Sequence, residues 1–93
     1  MDSPTALQEF LEYVVAQLIK HHDHASVVHE IDNDRHIYRV LLHPDDVGKI
    51  IGKNGYTVSA IRSLMNAAGA KTNTRTVLKV DARELPGTSP QAT

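Results

Sequence analysis

An α+β domain with the element order α-β-β-α-α-β is the fold class this sequence predicts, from three observations. Apolar residues recur at helical spacing between Leu7 and Ile19. Two β-branched runs flank the turn-forming Asp32-Asn33-Asp34. Two short helical patterns, broken by Gly52 and Gly55, precede a last β-branched run.

Leu7, Phe10, Leu11, Val14, Leu18 and Ile19 form one stripe, widened by Val15, and define the first helix. Ser3-Pro4 offers a cap with proline in the first turn, and Thr5-x-x-Gln8 matches a capping box one register later. The helix is expected to end near Lys20–His22, whose side chains suit the negative end of its dipole. Val27, Val28 and Ile31 mark a short strand. Ile37 to Leu42 marks a second, with Tyr38, Val40 and Leu42 on one face and Ile37, Arg39 and Leu41 on the other. The brief connection makes the pair an antiparallel hairpin.

Pro44-Asp45-Asp46 opens a helix of about two turns carrying Val47, Ile50 and Ile51. Gly52-Lys53-Asn54-Gly55 is a turn. Tyr56 to Ala68 forms the next helix, with Val58, Ile61, Leu64, Met65 and Ala68 inward and Gly69 as its stop. Thr76 to Val80 is the final strand, with Leu78 and Val80 inward. A right-handed crossover through two helices lays this strand parallel beside the second, which becomes central. The result is a three-stranded mixed sheet with three helices packed on one face. Residues 1–81 make one domain, and the composition from Ala82 to Thr93 predicts a flexible tail.

Ninety-three residues with 41% apolar content suit one small domain. The absence of cysteine excludes a disulfide scaffold, a thiolate metal site and a thiol nucleophile. No apolar run is long enough to span a membrane, and the N-terminus has no basic leader, so a cytoplasmic location is expected. Net charge is −1, but its distribution is uneven. Residues 1–34 hold one base and seven acids; residues 35–79 hold eight bases and two acids. The second segment can face phosphates, or the charges can form an ordinary mixed surface.

The segment of interest is Val47-Gly48-Lys49-Ile50-Ile51-Gly52-Lys53-Asn54-Gly55. A glycine turn at a helix start leaves backbone N–H groups pointing outward at the positive end of the dipole. Missing Cβ atoms at Gly52 and Gly55 allow close approach of a phosphodiester, Lys53 adds a cation and Asn54 an amide donor. The spacing is one residue short of a nucleotide P-loop, lacks its Ser/Thr and follows a helix. No G-x-G-x-x-G exists for a dinucleotide. A plain αα-corner, its glycines only easing the turn, is the competing structural reading.

Pro44-Asp45-Asp46-Val47-Gly48-Lys49-Ile50-Ile51-Gly52-Lys53-Asn54-Gly55, followed by a helix with Ala60-Ile61-Arg62, resembles the Ile-Gly-x-x-Gly signature of KH domains. The element order is that of the type II, αββααβ arrangement, and residues 5–81 resemble the small bacterial single-KH RNA-binding proteins of the KhpA type. The resemblance implies that Gly52, Lys53, Asn54 and Gly55 clamp the backbone of about four nucleotides of single-stranded RNA. It also implies bases in a groove, with Val47, Ile50 and Ile51 as one wall and the central strand as the other. Lys49, Arg62 and Arg75 are candidates for flanking phosphates. Tyr56 stands where many relatives place a base, exchanging a phosphate contact for an aromatic face.

His21-His22-Asp23-His24 is a segment able to take up divalent metal adventitiously, but adjacent positions share no helix face, so no built metal site is expected. His29, His36 and His43 are scattered. No catalytic constellation is discernible, so a binding module is expected, with no enzyme activity, small-molecule substrate or cofactor. The partners that the resemblance implies are single-stranded RNA, a second copy of the chain, or a larger Jag-type KH protein with a role in cell elongation. Ile37, Leu41 and Val77 are the apolar candidates for such an assembly.

Overall fold

The computed structural model describes residues 4–84, with side chains from Ala6 onward. Its elements are α1 (Pro4–Leu18), β1 (Ser26–Asp32), β2 (Arg35–Leu42), α2 (Pro44–Ile51), α3 (Tyr56–Lys71) and β3 (Arg75–Ala82). One 3-10 turn (His22–His24) joins α1 to β1, and another (Lys53–Gly55) joins α2 to α3. The sheet order is β1-β2-β3, with β2 antiparallel to β1 and parallel to β3. The predicted order, pairing and central strand are all present.

Local chemistry explains most boundaries. Asn33 (φ 52°) and Asp34 (φ 67°) both adopt the left-handed conformation that a two-residue hairpin loop requires, and their short polar side chains tolerate it. The hairpin is therefore tighter than expected: β1 runs on to Asp32 and β2 starts at Arg35, with an ion pair of 3.4 Å between those residues. Helix α1 stops at Leu18, earlier than expected, because the next amides have another acceptor. Lys20 and His21 donate their backbone N–H groups to Asp46 (3.1 and 2.8 Å) instead of to the preceding helical turn.

The core lies between the helices and one sheet face. Leu11, Val15 and Ile19 of the first segment meet Tyr38, Val40 and Leu42 of β2 and Val58, Ile61 and Met65 of α3. Val15 is central to this core, whereas Leu18 is exposed. Two other expectations for α3 are corrected. Leu64 (58% exposed) and Ala68 face outward, and the buried line runs through Val58, Ile61, Met65 and Gly69. Gly69 is inside the helix rather than its stop. A Cβ there would lie 2.5 Å from the Thr74 carbonyl, so the missing side chain lets β3 start against the helix. The left-handed residue after the helix is Asn73 (φ 58°).

Strand β3 extends to Ala82, and the Arg83 amide donates to the Leu42 carbonyl at 2.6 Å. The remainder of the expected tail, residues 85–93, lies outside the described residues, as do the Ser3 cap and the Thr5 side chain. Among the described residues no helix is long and apolar enough to cross a membrane.

Candidate nucleic-acid interface

The glycine turn is built from three residues in left-handed or glycine-only conformations: Gly52 (φ 77°, ψ 172°), Asn54 (φ 56°, ψ 22°) and Gly55 (φ 76°, ψ 13°). Gly52 closes α2 by donating to the Gly48 carbonyl (2.8 Å), and Gly55 donates back to Gly52 (3.1 Å). The Tyr56 amide then donates to the Lys53 carbonyl. Among the described residues, the Lys53 and Asn54 amides donate to no backbone carbonyl, and both side chains are exposed. These two N–H groups sit just ahead of the positive end of α3 and are free for an anion.

The two glycines have different tasks. A Cβ on Gly52 would fall 2.2 Å from Thr57 Oγ1 and 2.9 Å from the Thr57 amide, so Gly52 lets the two helices close on each other. A Cβ on Gly55 would meet nothing within 4 Å. The space over Gly55 is open, as approach by a phosphodiester requires.

The other candidates separate by burial. Ile50 (1% exposed) is a core residue with no surface to offer a base, contrary to its expected place in a groove wall. Val47 and Ile51 are half-buried against the same core. Tyr38, Val40 and Leu42 of the central strand are sealed beneath the helices, so β2 does not form the second wall either. Among the described residues, the open concavity beside α3 lies between that helix and the edge strand β3. It is a groove of about 320 Å³ lined by Arg62, Met65, Asn66, Thr76, Val77 and Leu78, with Thr76 Oγ1 and Asn66 Oδ1 3.1 Å apart across it. The helix-facing side chains of β2 are covered by the helices, whereas β3 lies at the sheet edge beside this groove.

Tyr56, 70% exposed, stands directly after the turn, and Arg62 is exposed further along the same helix. Arg75 begins β3 beyond the other end of α3, about 24 Å from the turn by the 1.5 Å rise of a 16-residue helix. Lys49 is already engaged: its Nζ lies 3.3 Å from Asp46 Oδ1. Arg35 and Arg39 also pair with acids, the latter with Glu30 (3.6 Å) and Asp81 (3.8 Å). The basic segment of the sequence therefore does not form a uniformly basic face. Lys53 is the exposed cation within the turn itself.

The sequence marks Asp46 only as a helix-opening acid and does not mark Thr57. Asp46 is fully buried and locks the start of α2 to the end of α1. Burial pushes its pKa up, but the His21 amide, the Lys20 amide and the Lys49 ammonium outweigh burial and hold it at about 2. A second acid after a helix-opening proline was the available signal, but its partners lie some 25 residues away in sequence.

Residues 8–80 match the family described as KhpA/KhpB, KH domain. The chain belongs to that family. Its similar relatives include proteins named RNA-binding protein KhpA. One from Oceanobacillus iheyensis is 32% identical over 74 residues, covering 80% of this chain and 99% of its own. One from Bacillus subtilis is 31% identical, covering 80% and 91%. One from Streptomyces coelicolor is 35% identical over 65 residues, covering 70% and 82%. The Gly52–Gly55 turn lies within the residues matched to that family.

Proposed function

We propose that this KH domain binds single-stranded RNA, clamping the sugar–phosphate backbone on the Gly52–Gly55 turn. The observation that carries the proposal is the pair of free amides at Lys53 and Asn54 beside the open space over Gly55. The names of the relatives support the same ligand. Phosphates rest on those amides and the Lys53 ammonium, and bases run along the α3–β3 groove past Tyr56 and Arg62 towards Arg75. The affinity is modest and largely electrostatic. Three or four engaged phosphates give a slope of about −2 to −3 for log affinity against log salt. Such a module suits an RNA chaperone or post-transcriptional regulator.

The Lys53→Asp, Asn54→Asp double variant tests the clamp. Aspartate tolerates the left-handed conformation at position 54, so the fold survives while two donors become two repelling charges. Fluorescence anisotropy with a single-stranded oligoribonucleotide should show at least about a ten-fold loss of affinity, one lost charge-assisted contact being enough for that. Equal binding by parent and variant overturns the clamp.

The sheet face without helices favours a second, compatible reading. The register places Val28, Ile37, Leu41 and Val77 together on it. Ile37 is only 9% exposed there, so Val28, Leu41 and Val77 supply the accessible apolar surface. This face would join a second copy, or the larger Jag-type protein, and present two turns to one RNA. Sedimentation of a Leu41→Lys variant tests it: a parent dimer that persists in the variant excludes this face.

A further inference from the structure

His21, His43 and Asp45 come from two segments that the sequence keeps more than 20 residues apart, yet each offers a ligand atom within 4.8 Å of the others. His21 Nε2 lies 3.6 Å from Asp45 Oδ2, and His43 Nδ1 lies 3.7 Å from the same oxygen. The two imidazoles stack with centroids 3.8 Å apart and planes 15° from parallel, so one ring must tilt for both in-plane lone pairs to meet at one ion. A tetrahedral ion with bonds of about 2.0–2.1 Å has ligand atoms roughly 3.3 Å apart. Two edges of that figure are already within about 0.4 Å of the required length.

A third imidazole completes the setting. His24 stands edge-on to both rings, with centroids 6.3 and 5.3 Å away, and its Nδ1 is buried without a hydrogen-bond partner. A buried ring nitrogen left unpaired is costly. Water completing the coordination of an ion is a donor of the kind this nitrogen lacks.

We propose that His21, His43 and Asp45 form a binding site for a divalent transition-metal ion of the imidazole-preferring class, such as Zn²⁺. The donor set is two neutral nitrogens and one carboxylate, with a fourth position left to solvent, since Asp45 is well exposed. His43 Nδ1 presently accepts the Asp45 amide proton at 3.0 Å as the cap of α2. Metal takes that lone pair and releases the amide to water, and this exchange keeps the affinity moderate. The ion ties the α1–β1 connection to the start of α2. The site takes only His21 as a ligand from the histidine-rich segment 21–24: His22 is exposed and contributes nothing.

The test is titration of the full chain with Co²⁺, read by the visible absorption of the tetrahedral ion, followed by displacement with Zn²⁺. One ion per chain is expected. His21→Ala, His43→Asn and Asp45→Asn each lose the signal, whereas His22→Ala keeps it. Asparagine still caps a helix, and the Asp45 side chain is exposed, so both variants stay folded by circular dichroism. Zn²⁺ at about 100 times its Kd multiplies the folded-to-unfolded ratio roughly 100-fold, raising the melting midpoint by about 10 °C or more. Absence of Co²⁺ binding overturns the proposal and leaves Asp45 as an ion-pair partner of the two rings. Binding that survives Asp45→Asn and His43→Asn, or that fails in His22→Ala, assigns the metal to the histidine-rich segment and overturns it equally.

Discussion

Replacing each glycine of the turn by alanine separates the support of the fold from the contact with RNA. At Gly52 the backbone lies in a region that only glycine populates readily, which costs another residue about 1–3 kcal/mol. The new Cβ also overlaps the Thr57 side chain and amide, and overpacking adds about 1–3 kcal/mol. A total of about 4 kcal/mol lowers the melting midpoint of a domain this size by about 15 °C or more. At Gly55 the left-handed conformation costs alanine about 1–2 kcal/mol, and the stiffer unfolded chain returns up to about 1 kcal/mol. With nothing within 4 Å of the new Cβ, the net change is about 1 kcal/mol, or roughly 5 °C. Calorimetry checks these shifts, and anisotropy with an oligoribonucleotide checks binding. Gly55→Ala should be folded at 25 °C yet bind RNA several-fold more weakly, because its methyl group stands where the backbone must approach. Equal destabilisation at both positions would refute the division of tasks. A folded Gly55→Ala with unchanged affinity would refute the location of the phosphate.

Asp46 carries an acid sensitivity. Its folded pKa of about 2 lies below the ordinary carboxylate value of 3.8, so its stabilisation is complete above that value and is lost as pH falls towards 2. Urea midpoints measured between these limits should fall for the parent, and Asp46→Asn should flatten the slope while being less stable at neutral pH. His29 acts in a higher window. Burial first, and the charge of His36 second, depress its pKa below 6.5, so the unfolded chain binds the proton more readily and stability declines as pH drops below that value. Its Nε2 lies 2.7 Å from His36 Nδ1, and His29→Gln should remove the part of the slope near pH 6 in the same urea assay. Gly69→Ala should lower stability by about 1–2 kcal/mol in chemical denaturation despite the better helix propensity of alanine, because the Thr74 carbonyl must move.

Elements that follow from periodicity were legible in the sequence. The alternation of Tyr38, Val40 and Leu42 identified the core face of β2, and the two-helix crossover identified the parallel neighbour. What was not legible depends on contacts distant in sequence. Gly69 has no hydropathy to mark it as a core position, and so Leu64 and Ala68 took its place in the expected stripe. The burial of Asp46 depends on amides at positions 20 and 21, which no local pattern reveals. The basic segment was legible as charge but not as surface. Hairpin pairing sets Arg35 beside Asp32 and Arg39 beside Glu30, so acids of the first segment neutralise bases of the second. Within the candidate site, the turn itself was readable because glycine and asparagine report their own backbone. The groove was not, because the gap between α3 and β3 depends on how side chains such as Arg62, Asn66 and Thr76 meet across it.

The placement of the turn rests on how α2 is held. Eight residues make too short a helix to be stable from propensity alone, and Gly48 inside it lowers that propensity further. Both of its ends are therefore held by contacts outside the helix or by a special backbone. At the start, His43 caps the Asp45 amide and Asp46 gathers the Lys20 and His21 amides. At the finish, Gly52 folds the chain back so that Thr57 packs over it. Loosening either end frees the segment that presents the Lys53 and Asn54 amides. Asp46→Asn should consequently weaken RNA binding although the residue is fully buried and touches no ligand. The loss should act through disorder of the turn, visible as faster hydrogen exchange at residues 53–56 while α3 and β2 remain protected. Exchange that rises evenly across the whole domain would instead mean that α2 has no independent role in presenting the turn.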